Sequence, residues 1–231
     1  WILTKYNALV SEVTDNLEKF ELGLAVQKLY DFIWDVFCDW YIEICKSRLN
    51  GEDKKAKDTA RSVLVYVFTN TLKLLHPFMP FITEEVWQSM PHSGESIMIS
   101  EWPKFLKELE FAAEETEFEK IMAVIRAIRN RRAEMNVPPS KKAKVCIVTA
   151  DRETFISGSA YICRLAYASE VETGDSFETE GSVRVITDNA TVYMPMKELV
   201  DIDGELERLN KDLQKAMVDK EFFEKKLNNQ G

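Results

Sequence analysis

Residues 28–43 read KLYDFIWDVFCDWYIE, a run that crowds Tyr30, Phe32, Trp34, Phe37, Trp40 and Tyr41 into one segment. Around them Val26, Leu29, Ile33, Val36, Trp40 and Ile44 recur at three- and four-residue steps. That spacing predicts a helix from about Leu22 to Arg48, ended by Asn50-Gly51. Six rings cannot all meet one partner helix, so the segment is expected at the centre of a bundle with neighbours on several sides.

The flanking sequence supplies those neighbours. Ile2, Tyr6, Leu9, Val13, Leu17 and Phe20 outline an amphipathic first helix. No capping residue precedes it, which leads us to expect that the chain continues a larger protein. A third helix is predicted from about Asp58 to Leu75, stopping before His76-Pro77 because proline disfavours helical geometry in the residue ahead of it. Thr83 is expected to cap a short fourth helix with Glu84 and Glu85 in its first turn, where the helix dipole favours carboxylates. Residues 1–103 therefore read as an antiparallel helical bundle.

Ser93 to Pro103 is rich in turn formers, and the acidic run from Glu108 to Glu119 leads into a helix built on Ile121, Val124, Ile125, Ile128 and Met135. The sequence NVPP at 136–139 terminates it. Strands are then predicted at Lys144–Thr149, Ala168–Glu172, Val183–Thr187 and Thr191–Met194, with Asp188-Asn189 turning the last pair into a hairpin. Asp151 is expected to cap a helix reaching Cys163. Residues 104–198 thus read as a basic helix plus a small α/β subdomain. In 199–231, Leu199, Ile202, Leu206, Leu209, Leu213, Ala216, Lys220, Phe223 and Leu227 approximate heptad positions, half of a coiled coil. The fold class is mainly α with a small α/β part.

With 231 residues, 45% of them hydrophobic and 30% charged, the chain can bury a core and divide into more than one module. No stretch approaches the ~20 apolar residues of a membrane span, and no secretion signal opens the chain, so a cytoplasmic setting is expected. Cys38, Cys45, Cys146 and Cys163 lack metal-site spacing and read as small buried hydrophobes. No phosphate-binding loop, nucleophile elbow or histidine pair at metal spacing occurs. Glu84-Glu85 and Glu114-Glu115 are simplest as solvated helix starts.

The net charge of −9 argues against indiscriminate coating of nucleic acid. Its distribution differs: from Lys120 to Lys144 eight basic residues face Glu134 alone, a local balance of +7, leaving −16 for the remainder. Within IRAIRNRRAEMNVPPSKKAKV, residues 125–145, Arg126 and Arg129 fall on one flank of the helix and Arg131 points elsewhere. Guanidinium groups hold phosphate oxygens bidentately and stack on unpaired bases, so Arg126, Arg129, Arg131, Arg132, Lys141 and Lys142 form the candidate RNA-binding set. The structural alternative is that basic residues near a helix C-terminus complement its dipole. For Arg132, which falls within the apolar stripe, that alternative leads, with a core-side carboxylate as its expected partner. Trp34, Phe37, Trp40, Trp87 and Trp102 read as core, whereas Phe20, at a helix junction, is a candidate for base contact.

The run at 28–43, followed by HPFMPFITEEVWQ at 76–88, resembles the anticodon-binding bundle of class I aminoacyl-tRNA synthetases for branched aliphatic amino acids. The opening WIL, the EMNVPPSKK turn at 134–142 and LVDIDGELERL at 199–209 are most similar to the valyl-tRNA synthetase family. The second string is shared with isoleucyl and leucyl relatives, so those families, or a non-catalytic coiled-coil interaction module, are the alternatives. The resemblance implies a parent ligase that uses ATP and Mg²⁺ to attach valine to its tRNA, with its catalytic and editing sites elsewhere: no cofactor is expected in this segment. It implies that the bundle holds the anticodon stem-loop of a valine tRNA. A heptad helix with no second arm in the sequence is expected to permit self-association.

Overall fold

The computed structural model describes residues 1–178, 180–200, 211, 213–220 and 224. Two compact units are found, Trp1–Glu119 and a second beginning at Lys120.

In the first unit, α1 (Ile2–Glu18) buries Ile2, Tyr6, Leu9, Val10 and Val13 on one stripe. α2 (Leu22–Asp31) runs into a π-helical stretch, Phe32–Tyr41, and then α3 (Ile42–Leu49). The predicted helical span therefore exists, and of its expected stripe Leu29, Trp40 and Ile44 are buried and Ile33 and Val36 pack against the core, but its centre is π-helical rather than α-helical. In π geometry the hydrogen bonds run i to i+5, which turns Phe32, Phe37 and Tyr41 inward. Phe37 stacks on Phe68 at 5.8 Å and 13°, and Tyr6 lies 6.4 Å from Phe32 and edge-on to Tyr66 at 5.7 Å. Ile33 and Val36 are only half-buried, and Val26 and Trp34, expected inside, are exposed.

α4 (Lys54–Leu75) starts earlier than expected because Asp53 caps it, accepting from the backbone N–H groups of Lys55 at 2.9 Å and Ala56 at 3.2 Å. α5 (Pro80–Gln88) corrects the reading of Thr83. Proline opens this helix, where its missing N–H costs nothing, so Thr83 lies inside it and is buried, donating to the Met79 carbonyl at 2.8 Å. Glu84 consequently leaves the first turn. Its carboxylate accepts from Gln88, from the Ser96 hydroxyl and from the Ile97 N–H, which hold its pKa below the usual carboxylate value.

Single 3₁₀ turns follow at Ile97–Ile99 and Lys107–Leu109. The irregular segment 102–111 is fastened to α1 by side chains. Trp102 Nε1 donates to Thr14 at 2.9 Å, and Thr4 Oγ1 accepts from the Phe111 N–H at 3.0 Å. Asn7, only 1% exposed, both donates to the Leu106 carbonyl at 2.9 Å and accepts its N–H at 2.8 Å. These contacts supply the backbone partners that a non-helical segment lacks.

The division between the units falls within α6 (Ala112–Glu134). In the second unit, β1 (Ala143–Val148) is followed by α7 (Arg152–Ser157), α8 (Ser159–Leu165), β2 (Ala168–Gly174), β3 (Ser182–Ile186) and β4 (Thr191–Pro195). The sheet order is β2-β1-β4-β3, with β1 parallel to β2 and antiparallel to β4, and β3 and β4 forming the expected hairpin. Val145, Ile147, Val183, Val185, Val192 and Met194 alternate onto its buried face. The single helix expected from Asp151 to Cys163 is two, parted at Gly158. A Cβ there would stand 2.4 Å from Ile121 Cδ1, so a larger residue would have to displace the Ile121 side chain. Asp151 does not cap through its side chain, because Lys120 Nζ holds that carboxylate at 2.6 Å.

The short α9 (Met196–Leu199) ends at Leu199 because Val200 is extended, so Leu199 does not begin a heptad helix. Of the other heptad positions, Leu213, Ala216 and Lys220 are helical and exposed, whereas Ile202, Leu206, Leu209, Phe223 and Leu227 lie outside the described residues. No helix among the described residues is long and apolar enough to cross a membrane.

Two substitutions test this packing. Asn7→Leu leaves both backbone groups of Leu106 without partners and should cost about 2 kcal/mol in urea unfolding. Tyr6 is the opposite case: its buried hydroxyl has no hydrogen-bond partner among the described residues, and burial pushes its pKa up. Tyr6→Phe should raise stability by about 1 kcal/mol with an unchanged denaturant slope.

Candidate nucleic-acid interface

α6 ends in a motif that depends on a left-handed residue. Asn136 takes φ 53°, its N–H donates to the Ala133 carbonyl at 3.0 Å, and the Val137 N–H reaches back to the Arg132 carbonyl at 2.9 Å. This is the pattern that satisfies the last carbonyls of a helix, and asparagine tolerates the required conformation. The following turn is closed by the Lys141 N–H donating to the Pro138 carbonyl at 3.1 Å. Arg126, Arg129 and Arg131 are exposed on the last turns of α6, and Lys141 and Lys142 are exposed in the turn that leads into β1.

The eight cations counted in the sequence are not equally open. Lys120 pairs with Asp151, and Lys144 with Glu172 at 2.6 Å and Glu170 at 3.8 Å; these carboxylates raise the Lys144 pKa. Arg131 pairs with Glu134 at 3.0 Å on the surface, a contact worth little and easily exchanged for a phosphate. Arg126 has a contact of its own within the protein. Arg129, Lys141 and Lys142 pair with no carboxylate among the described residues, so they carry the strongest uncompensated charge of the set.

Arg132 is corrected in its partner. It is 3% exposed, and no carboxylate among the described residues meets it: Nη2 donates to the carbonyl oxygens of Pro138 at 3.1 Å and of Lys141. Its guanidinium lies 5.6 Å from the centre of the Tyr167 ring. Burial lowers its pKa from the ordinary value, opposed by Tyr167. Its location at an apolar position of α6 is therefore as read, but backbone carbonyls replace the expected acid.

Phe20 belongs to the first unit. At the end of α1 it takes φ 59°, its N–H donating to Leu17 at 3.0 Å, while the Glu21 N–H reaches the Asn16 carbonyl at 2.8 Å. Glycine usually occupies this place in the motif. A phenylalanine here is strained by about 1–2 kcal/mol, and at 88% exposure the ring recovers none of that by packing. Phe37, Trp40 and Trp87 are buried, and Trp102 is half-buried, as expected of core rings. Trp34 is not: it is 54% exposed, with Tyr30 one turn earlier at 6.3 Å ring separation. Phe81, after the proline that opens α5, is 90% exposed. The surplus of rings over inward positions in 28–43 was the available signal for Tyr30 and Trp34, and Trp34, although read as core, stands outside the apolar stripe of Val26, Leu29, Ile33, Val36, Trp40 and Ile44.

All four cysteines are free, and burial pushes each thiol pKa up, which keeps the reactive thiolate scarce. Among the described residues no group of three His, Cys, Asp or Glu side chains could hold a metal ion.

A family model described as the anticodon-binding domain of tRNA ligase matches residues 1–147, which include the first unit, α6 and the basic turn. Over its full length the chain is 48% identical to a valine–tRNA ligase of Clostridium acetobutylicum, 45% to one of Geobacillus stearothermophilus and 44% to one of Carboxydothermus hydrogenoformans. It spans about a quarter of those relatives: 27%, 27% and 26% of their length respectively. A helical bundle, a basic helix end and a matched span that covers both make this chain a member of the anticodon-binding domain family of tRNA ligases.

Proposed function

We propose that the chain holds the anticodon stem-loop of a valine tRNA for a full-length ligase that joins valine to that tRNA with ATP and Mg²⁺ in the cytoplasm. The single observation that carries this reading is three exposed cations, Arg129 in the last turns of α6 and Lys141 and Lys142 in the turn that follows, which pair with no carboxylate among the described residues of a protein whose net charge is −9. Such a patch attracts a polyanion while the remaining surface repels it, so binding is confined to one place. The names of the relatives favour valine over isoleucine or leucine. The working division is a bundle, 1–103, that receives the loop; a basic helix with its α/β subdomain, 104–198, that grips phosphates; and a heptad segment, 199–231.

Arg126 and Arg131 extend the grip along α6, with Arg131 exchanging Glu134 for phosphate. In the first unit Phe20 serves as a stacking surface for an unpaired base, because its strained conformation holds the ring in solvent rather than in the core. Exposed Leu213, Met217 and Val218 accompany this with a proposal of self-association through the heptad segment.

Replacing Arg129, Lys141 and Lys142 by Ala should weaken binding of valine tRNA and flatten the dependence of log K on log salt by about 1 per cation. An unchanged slope sinks the phosphate grip. Valine tRNA with an altered anticodon should bind more weakly than the natural tRNA; equal affinity would reduce the chain to a nonspecific RNA holder. Phe20→Gly should stabilise the protein by about 1 kcal/mol through relief of the left-handed strain. The same substitution should lower tRNA affinity about tenfold by removing a stacked ring. A gain in stability with no loss of affinity would remove Phe20 from the interface.

A further inference from the structure

The geometry points to Arg132 as a positioning residue that holds Lys141 and Lys142 in place for phosphate without touching RNA itself. This inference rests on the RNA-binding reading above.

Three observations carry it. At 3% exposure the guanidinium is closed to a phosphate, and its Nη2 already donates to two carbonyls. Those carbonyls belong to Pro138 and Lys141, the two ends of the turn that the Lys141 N–H closes. Arg132 also accepts the Val137 N–H through its own backbone. One residue therefore binds the turn from both its main chain and its side chain, across a segment otherwise restrained by Asn136, Pro138 and Pro139. On the far side, Tyr167 presents its ring to the guanidinium from a left-handed position, φ 56°, just after α8.

A lysine held at the backbone loses less freedom when it meets a phosphate than one on a loose loop. Ordering even one further residue on binding costs about a factor of ten in affinity. Because the charge of Arg132 is spent on neutral carbonyls and an aromatic face, its removal acts through the two lysines and not through a lost phosphate contact. Both of its hydrogen bonds leave from one nitrogen, so a lysine ammonium at this position can reproduce them, whereas an isosteric apolar side chain cannot.

The test is a tRNA titration at several salt concentrations with the 231-residue chain, Arg132→Met, Arg132→Lys, the Lys141→Ala/Lys142→Ala pair, and the triple variant carrying Arg132→Met. We expect Arg132→Met to lower affinity about tenfold and flatten the salt slope, Arg132→Lys to restore most of both, and the triple variant to bind no worse than the lysine pair. Amide exchange at Lys141 and Lys142 should speed up in Arg132→Met and not in Arg132→Lys. If Arg132→Met fails to fold, Arg132→Gln takes its place in the same cycle. Additive losses in the triple variant, or full affinity in Arg132→Met while the lysine pair binds weakly, overturn the positioning role and leave the RNA grip standing. Undiminished binding in the lysine pair overturns the grip itself, and the positioning role with it.

Discussion

A buried guanidinium held by backbone carbonyls, with no carboxylate partner among the described residues, is the interaction on which the second unit turns. Withdrawing an ion from water costs several kcal/mol even after relaxation. Arg132 offsets that cost with hydrogen bonds to two carbonyls and with an aromatic face, interactions that strengthen as water is excluded. The consequence is structural as much as energetic. The carbonyls it holds sit in the turn after α6, so the end of the helix, the Pro-Pro turn and the start of β1 are fixed together. The same turn carries the two lysines that face solvent.

Left-handed residues do comparable work at three helix ends. Among the described residues, Phe20, Asn136 and Tyr167 are the non-glycine residues with positive φ, each just beyond a helix. Asn136 suits the position; the two aromatic residues do not, and each is explained by its ring. Tyr167 faces Arg132. Phe20 faces solvent, so packing does not offset its strain.

In the first unit the ordering constraint is the aromatic core. Rings from α1, the π-helical stretch and α4 interlock around Tyr6, Phe37 and Phe68. Phe32, Phe37 and Tyr41 of the π-helical stretch point inward, while Trp34 within it and Tyr30 in α2 face solvent. Polar residues on α1, Thr4, Asn7 and Thr14, then bind a segment that no hydrophobic pattern marks.

Much of this was legible in the residues. Apolar spacing located α1, α4 and α6, alternation located all four strands, NVPP marked the end of α6, and the strings at 28–43 and 76–88 pointed to the family that the comparisons support. Spacing reports which residues share a face of their own helix, and that much is local. What it could not report is which partner each side chain meets. Lys120 finds Asp151 at a separation of 31 residues, and Asn7 finds Leu106 at 99. The count of eight cations was thus a property of the chain, but the reduction of that set to Arg129, Lys141 and Lys142 as its uncompensated members was decided by folding. The same holds for Arg132, whose apolar position was visible and whose carbonyl partners were not. Charge and pattern are written along the polypeptide; compensation and exposure exist only once distant segments share the same space.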